Sequence, residues 1–230
     1  MIKNPIYCAI DTSSVIEAEN ITKEILPFVG GIKVGLEFFT SCGILGLERL
    51  AKFELPLFID LKLYDIPNTV KNSLQNILSF QPEFTTLHIS GGSNMLRESV
   101  ELKRNLGSST NLIGVTMLTS FDDNSIKEVG ISGSVDKNVE NLANLAFNCG
   151  MDGIVCSPLE IKKIKKIFGS GFYIVVPGIR NETNEFDDQK RTLSAKEAID
   201  FGADIIVVGR PITSAKSPAN AAESFYQSIT

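Results

Sequence analysis

The chain has 230 residues, of which 43% are hydrophobic and 21% are charged, and its formal net charge is −5 at pH 7. This length is sufficient for one domain with a sizeable hydrophobic core. The negative net charge and the lack of a run of basic residues argue against nucleic acids and anionic membrane surfaces as partners. A small anionic substrate is still compatible with this composition, because a few local cations can bind one.

The start of the chain and its cysteines indicate a cytoplasmic protein. Residues 1–5 lead directly into an apolar stretch and lack the apolar segment of a signal peptide. No apolar run approaches the roughly 18 residues that a membrane-spanning helix needs. The cysteines lie in or beside apolar stretches without metal-type pairing, at Cys8, Cys42, Cys149 and Cys156. Free, buried thiols in a reducing compartment fit this pattern best.

Strand-like and helix-like stretches alternate along the chain, which is the pattern of βα units and a parallel sheet. The predicted strands are 6–10, 31–36, 57–61, 85–89, 112–118, 153–156, 172–176 and 204–208. The predicted helices run from about 15 to 29, around 44–53, from 67 to 78, from 93 to about 106, over 135–148 and 159–168, between Ser194 and Gly202, and from 218 onward. Serines, threonines and prolines at their starts suit helix caps and first turns.

Eight strands and about eight helices predict a closed (β/α)₈ barrel, the TIM-barrel fold, with residues 1–230 as a single catalytic domain. An open doubly wound sheet is the alternative. No Gly-x-Gly-x-x-Gly turn follows the first strand, which counts against a dinucleotide-binding version of that sheet.

The stretch over residues 58–70 concentrates charge at the end of a buried strand. Side chains two apart on a strand share a face, so Asp60 and Lys62 are expected to point one way and Leu61 and Leu63 the other. Charged groups rarely end an apolar strand unless they are paired. Asp-x-Lys taken alone is most simply a salt bridge at the strand mouth. The further charges Lys33 and Asp65 favour a catalytic site.

Active residues of such barrels gather at the C-terminal ends of the strands. The predicted strand ends place six candidates there: Asp11, Asp60, Lys62, Thr119, Arg180 and Arg210. Lys33 lies inside the second strand and is expected to point into the same mouth, although a lysine that extends to solvent is the alternative. Asp11 alone could equally cap the first helix.

Lys33, Asp60, Lys62 and Asp65 together provide two cations and two anions. The adjacent carboxylates favour a charged ammonium, so Lys62 is expected to be a proton donor and not a nucleophile. The chain has one histidine, His88, and no His/Cys spacing typical of a metal site, although carboxylate-bound Mg²⁺ would leave a fainter trace. His88 is most simply a buried histidine with its hydrogen bonds satisfied.

Phosphate often binds at the loops after the last two strands of such a barrel. Gly209 allows the backbone to approach an anion, and Arg210 can form a bidentate contact. Gln189 in the long connection over 181–192 could reach over the site as part of a lid. An ordinary loop and a solvent-facing arginine are the alternative.

Asp60 begins the run Asp-x-Lys-x-x-Asp-Ile-Pro-Asn-Thr-Val, which resembles the signature of the bacterial orotidine 5′-phosphate decarboxylases. Further segments resemble that family in order: Ala-Ile-Asp over 9–11, Lys-Val-Gly over 33–35, Thr-Met-Leu-Thr-Ser over 116–120, Pro-Gly-Ile-Arg over 177–180, Asp-Gln-x-Arg over 188–191 and Val-Val-Gly-Arg-Pro-Ile-Thr over 207–213. Asn181 and Leu193 depart from prolines that are common in the family.

The resemblance implies that orotidine 5′-phosphate is decarboxylated to uridine 5′-phosphate without a cofactor, as the last step of de novo pyrimidine biosynthesis. It implies ribose binding at Asp11, pyrimidine contact at Thr119 and substrate contacts at Ile66 and Thr69. It also implies a homodimer in which Asp65 enters the active site of the partner. Lys62 would protonate C6 of the pyrimidine, and Asp60 would crowd the substrate carboxylate.

Two alternatives remain open from the sequence. A magnesium-dependent sugar-phosphate decarboxylase or aldolase could share Asp-x-Lys-x-x-Asp, with Glu37 as its candidate metal ligand. A non-catalytic sensor of a phosphorylated ligand could use the same fold. The Ile-Pro-Asn-Thr continuation favours the nucleotide enzyme over the first, and the complete set of four charges argues against the second.

Overall fold

The structure, a computed structural model, describes residues 4–180 and 193–230. The strands are β1 (Ile6–Ala9), β2 (Gly31–Val34), β3 (Leu57–Leu63), β4 (Phe84–His88), β5 (Asn111–Val115), β6 (Gly153–Val155), β7 (Tyr173–Pro177) and β8 (Ile205–Val208). They pair in parallel in sequence order, and β8 pairs with β1 to close the barrel. The predicted (β/α)₈ barrel is confirmed, and the alternative of an open doubly wound sheet is wrong.

Helices surround the barrel between successive strands. They are α1 (Val15–Ile25), α2 (Leu36–Ala51), α3 (Pro67–Leu78), α4 (Gly92–Asn105), α5 (Ser125–Glu128), α6 (Val135–Asn148), α7 (Ile161–Phe168), α8 (Ala195–Phe201), α9 (Arg210–Thr213) and α10 (Pro218–Ile229), with 3₁₀ turns at Ile89–Gly91 and Pro158–Glu160. Across the residues that the structure describes, none of these helices has the combined length and apolar character needed to span a membrane.

The second helix shows the largest difference from the predicted boundaries. We expected a helix around 44–53, but α2 begins at Leu36 and continues across a kink at Gly43, where φ is 58°. Glycine adopts such a positive φ without steric cost. The kink interrupts the helical periodicity of the sequence, so only the part after Gly43 was predicted as a helix. The predicted second strand is correspondingly too long, because it ends at Val34 and not at Leu36.

Aromatic side chains fill the interior of the barrel toward the N-terminal ends of its strands. Phe84 lies at the centre, with ring centroids 5.6 Å from Tyr7, 5.7 Å from Phe58 and 5.5 Å from Tyr173. The Tyr7 hydroxyl donates a hydrogen bond to Glu83, so this buried polar tip has an acceptor. The aromatic layer therefore closes this end of the barrel, and the C-terminal mouth is left open to a ligand.

The opposite face of the strands packs against the helices. Alternate strand residues such as Ile6, Cys8 and Ile59 belong to this outer core, as do the helix residues Leu74 and Ile164. Fully burying one such aliphatic side chain stabilises the fold by about 1.5–3 kcal/mol. Because inner and outer residues alternate along each strand, the outer core fixes which side chains point into the barrel.

Two aspartates fasten the N-terminal ends of strands to their neighbours. Asp152, just before β6, accepts hydrogen bonds from the Leu112 N–H of β5 at 2.7 Å and from the Lys103 ammonium at 2.7 Å. Asp204, just before β8, accepts from the Ile174 N–H of β7 at 2.9 Å and has Lys165 at 3.1 Å. Each carboxylate thus joins two strands and the helix preceding one of them.

Asp152→Ala is expected to lower the free energy of unfolding by about 1–3 kcal/mol, because the N–H of the buried Leu112 and the Lys103 ammonium lose their shared acceptor. Asp152→Asn keeps an acceptor but removes the charge, so it should fall between Ala and the unchanged chain. Denaturant unfolding measures the three free energies. An Ala variant as stable as the unchanged chain would contradict this role.

Candidate active site

A cavity of about 290 Å³ opens at the C-terminal mouth of the barrel. Its lining includes eight of the residues singled out in the sequence: Asp11, Lys33, Asp60, Lys62, Thr119, Arg180, Gly209 and Arg210. Phe58 of the aromatic layer also contributes to the lining, together with apolar residues such as Val155 and Val207. The fold therefore brings the charges of five separate strand ends or loops into one concave site.

Asp60 lies at the centre of the charged network. Its Oδ2 is 2.8 Å from the Lys62 ammonium and 3.4 Å from the Lys33 ammonium, and Lys33 is 3.5 Å from Asp11 Oδ1. Lys33 is 8% exposed and Asp60 is 7% exposed, so both charges are buried and paired. The alternative of Lys33 as a solvent-facing lysine is wrong. Asp11 faces Lys33, whereas Ser14 caps α1.

The electrostatic environment keeps Asp60 ionised. Burial alone would raise the pKa of its carboxyl, since a low-dielectric setting disfavours the charged form. The attraction of Lys33 and Lys62, together with hydrogen bonds from Lys62 and Thr86, outweighs burial and lowers the pKa below its ordinary value. Asp60 is therefore a carboxylate at neutral pH, held between two ammonium groups.

Lys62 occupies a strained backbone position that the strand pattern does not predict. Its φ is 49°, in the left-handed region, which costs a non-glycine residue about 1–3 kcal/mol. Ile59 pairs with Thr85 and Leu63 with Leu87, so β3 makes a bulge between these points. The alternation of side chains between the two faces of β3 is thus broken at Lys62. The Lys62 side chain nevertheless reaches Asp60, as expected.

Thr86 is a residue of this network that sequence reasoning missed. Its hydroxyl accepts a hydrogen bond from the Lys62 N–H at 2.9 Å and donates one to Asp60 Oδ1 at 2.9 Å. In the sequence, Thr86 is a β-branched residue in an apolar strand, which is ordinary strand composition. The available signal was its spacing two residues before His88, which places it on the inner face.

Gly35 makes room for the Lys33 ammonium. A Cβ on Gly35 would lie 3.0 Å from the Lys33 Nζ, which is tighter than about nine in ten real contacts, and 3.4 Å from Asp11 Oδ1. Gly209 faces the other side of Asp11, where a Cβ would lie 3.9 Å from Oδ2. Gly35 therefore acts sterically in the site, which its position after Lys-Val indicated only weakly.

The loops after β7 and β8 provide the cationic edge of the cavity. Arg180 and Arg210 both line it, with Gly178 and Gly209 beside them. The Arg180 backbone N–H donates to the Leu193 carbonyl at 3.1 Å, which fixes the start of the connection between β7 and α8. The expected lid residue Gln189 lies outside the described residues. Two guanidinium groups at one end of a cavity suit a phosphate.

Three expected site residues, one catalytic and two substrate-binding, do not line the cavity. Asp65, Ile66 and Thr69 are exposed, and Ile66 retains 67% of its accessible surface. The Asp65 carboxylate accepts a hydrogen bond from the Ile66 N–H at 2.6 Å. One chain therefore gathers Lys33, Asp60 and Lys62 but leaves the fourth charge of the predicted set on its surface.

His88 ends β4 beside the network. Its ring is half-buried and lies 5.5 Å from the Tyr64 ring centroid, so the prediction of a buried histidine is wrong. Burial and the nearby Lys62 charge lower the pKa of His88, whereas Asp60 opposes this shift. The imidazole is therefore neutral at neutral pH and adds no third cation.

Metal-ligand candidates do not converge on the cavity in the described chain. Residues 4–180 and 193–230 contain no group of three or more His, Cys, Asp or Glu side chains placed to hold a metal ion. Glu37, the candidate ligand of the magnesium-dependent alternative, lies exposed in the first turn of α2 and does not line the cavity.

Known proteins are similar to this chain over nearly its full length. A protein of Wolbachia pipientis subsp. Culex pipiens named orotidine 5′-phosphate decarboxylase is 45% identical over 227 residues, which are 99% of each chain. The protein of that name from Paramagnetospirillum magneticum is 42% identical over 224 residues, or 95% of each.

The fold and the family assignment agree with these relatives. The crystal structure of orotidine 5′-phosphate decarboxylase from Lactobacillus acidophilus superimposes with a TM-score of 0.82 at 34% identity, covering 99% of this chain and 100% of that one. Residues 4–225 match the family model described as "Orotidine 5'-phosphate decarboxylase / HUMPS family". The chain therefore belongs to the orotidine 5′-phosphate decarboxylase / HUMPS family.

Proposed function

We propose that this protein decarboxylates orotidine 5′-phosphate to uridine 5′-phosphate, the last step of de novo pyrimidine biosynthesis. The observation that carries the proposal is the Lys33–Asp60–Lys62 network at the mouth of the barrel, in which Lys33 and Asp60 are buried. The relatives with this name, which match over nearly the full length, support it. A sensor that only binds a ligand has no need to hold two ammonium groups on one buried carboxylate.

The cavity suggests how the nucleotide lies. Its phosphate would bind at Arg180 and Arg210, where Gly209 allows close approach of the backbone. Asp11 and Lys33 would bind the ribose hydroxyls, and Thr119 would contact the pyrimidine. This orientation places C6 of the pyrimidine toward Asp60 and Lys62. Binding energy at the phosphate, far from the reacting carbon, can then align the substrate.

The chemical step breaks the bond between C6 and the carboxylate carbon, and CO₂ leaves. The electron pair stays on C6 in the plane of the ring, where the π system stabilises it little. The Lys62 ammonium would stabilise this pair and then donate a proton to C6, which gives uridine 5′-phosphate. Lys62 regains a proton from solvent. No cofactor takes part in this scheme.

Asp60 has two roles in this scheme. Its carboxylate holds the Lys62 ammonium at 2.8 Å, so the donor is in place before the substrate arrives. As an ionised group it also lies near the substrate carboxylate, and this repulsion ends when CO₂ leaves. Such a reaction requires a barrier reduction in the upper part of the roughly 8–23 kcal/mol that enzymes supply.

The magnesium-dependent sugar-phosphate alternative has weaker support. Its candidate ligand Glu37 is exposed and lies outside the cavity lining. The description of the family model also names HUMPS, so the match to it does not by itself decide between the nucleotide enzyme and the magnesium-dependent enzyme. Turnover of orotidine 5′-phosphate in the presence of a chelator of divalent cations distinguishes them, because the proposed scheme uses only the ammonium groups of the chain.

Lys62→Ala is expected to reduce kcat by at least about 10⁴-fold, since both charge stabilisation and the proton donor are lost. Affinity for uridine 5′-phosphate should change little, because the phosphate and ribose contacts remain. The loss of absorbance of orotidine 5′-phosphate, recorded with a chelator present, measures turnover, and calorimetry measures binding. Lys23→Ala, at an exposed lysine of α1, is the control. Near-native turnover by the Lys62 variant would refute its role.

Arg210→Ala is expected to raise the KM for orotidine 5′-phosphate by about 10- to 100-fold, since a charge-assisted contact to phosphate is removed. The fold should be retained because Arg210 is exposed at the mouth of the barrel. Arg104→Ala, at an exposed position near the end of α4, is the matched control. An unchanged KM in the Arg210 variant would count against phosphate binding at this residue.

We further propose a homodimer in which Asp65 completes the site of the partner. Asp65 is exposed and lies between two exposed apolar residues, Tyr64 at 62% and Ile66 at 67%. Large exposed apolar side chains next to a functional charge favour a surface that is covered by another chain. A second copy related by two-fold symmetry would give each site one carboxylate from its neighbour.

Mixing two inactive variants tests this arrangement. In a hybrid of Lys62→Ala and Asp65→Ala chains, one of the two sites has both an intact Lys62 and an intact Asp65. Random exchange of subunits makes half of the dimers hybrids, so about a quarter of the native activity should return. If subunit exchange is verified and no activity returns, Asp65 acts within its own chain, and the proposed arrangement is wrong.

The cysteines are compatible with a cytoplasmic location, which we propose as well. All four are free thiols, and Cys8, Cys149 and Cys156 are buried. Burial raises the pKa of the Cys156 thiol well above its ordinary value, which makes it unreactive. Buried free thiols are typical of proteins in reducing compartments.

A further inference from the structure

Thr86 connects two charged residues of the site through a single hydroxyl. This side chain is fully buried, with 0% of its surface exposed, and it belongs to the inner face of β4. A hydroxyl has one hydrogen to donate, and an ionised carboxylate can only accept. The hydrogen bonds therefore run in one direction, from the Lys62 N–H to the Thr86 oxygen and from the Thr86 hydroxyl to Asp60 Oδ1, each at 2.9 Å.

The bond to Asp60 fixes the plane of its carboxylate. The last torsion of an aspartate side chain is broad, so the carboxylate turns easily unless an oxygen is held. Because Thr86 holds Oδ1, Oδ2 faces Lys62 at 2.8 Å and Lys33 at 3.4 Å. Without the hydroxyl, the same charges would remain, but their geometry would be less defined.

The bond to Lys62 holds its strained backbone. At the bulge in β3, the Lys62 N–H is bonded to a side chain of β4. A left-handed φ of 49° is strained for a lysine, so it persists only where surrounding contacts hold the backbone in place. Thr86 supplies an acceptor at that point, and the backbone of Lys62 in turn determines where its side chain starts.

We propose that Thr86 is a positioning residue for decarboxylation, which orients the Asp60 carboxylate and the Lys62 backbone together. It is not part of the cavity lining, so it acts through these two residues and not by touching the substrate. This inference rests on the proposed function of Lys62 and Asp60. It adds a requirement for one particular hydroxyl on β4 behind the charged network.

The neighbouring Thr85 provides a matched control. It is also a fully buried threonine of β4, and its hydroxyl donates to the Ile59 carbonyl of β3 at 2.9 Å. Strand alternation puts Thr85 on the helix side of the sheet, away from the cavity. Substitution by valine removes one buried hydroxyl bond to β3 at Thr85 and two at Thr86. It keeps a β-branched side chain suited to a strand at both positions.

Thr86→Val is expected to lower kcat by about 10- to 100-fold, because the donor and the carboxylate are displaced by fractions of an ångström. Affinity for uridine 5′-phosphate should stay within about twofold, since the binding groups remain. Thr86→Ser restores the hydroxyl and should recover most of kcat. Thr85→Val should leave kcat unchanged, although it also loses a buried hydrogen bond and therefore stability.

Equal kcat values for the two valine variants would overturn the proposal, as would a Thr86→Ser variant no better than Thr86→Val. Crystal structures of the two valine variants provide a readout independent of turnover. The proposal expects Asp60 or the backbone of Lys62 to move only in Thr86→Val, and unchanged geometry there overturns it. If the unchanged chain lacked turnover, the proposed function would fail, while this structural result would still decide the role of Thr86.

Discussion

The structure depends on one buried carboxylate held between two ammonium groups. Asp60 receives Lys62 at 2.8 Å and Lys33 at 3.4 Å, in a setting where an unpaired charge would be costly. The attraction outweighs desolvation, so the pKa of Asp60 is lowered and the three charges persist together. A preorganised ammonium is worth most where charge develops in a water-poor site. The proposed chemistry needs this arrangement to exist before the substrate binds.

The remainder of the barrel supports that network from two directions. Below it, the aromatic layer around Phe84 closes the interior, so the charged layer lies on a rigid apolar floor. Around it, the outer core fixes which face of each strand points inward. Strand-fastening contacts such as those of Asp152 lie at the opposite end from the cavity. The contacts that stabilise the strands and the side chains of the candidate active site thus lie at opposite ends of the barrel.

The sequence predicted the barrel because hydrophobic periodicity and caps act locally. Ser194 and Gly202 bound α8 as expected, with a capping box at one end and a left-handed glycine at the other. The bulge at Lys62 escaped prediction because it arises from the pairing of β3 with β4, which no local pattern encodes. Thr86 was missed for the same reason, since its partners are 24 and 26 residues away. Motif resemblance named Asp65, which the structure leaves exposed and outside the cavity lining.

A crystal structure of the protein with bound uridine 5′-phosphate tests the central claim most directly. The account predicts that the Lys62 Nζ lies within about 3.5 Å of C6, with Asp60 beside it and the phosphate between Arg180 and Arg210. A pyrimidine bound with C6 turned away from Lys62, or a Lys62 ammonium that has left Asp60, would contradict it.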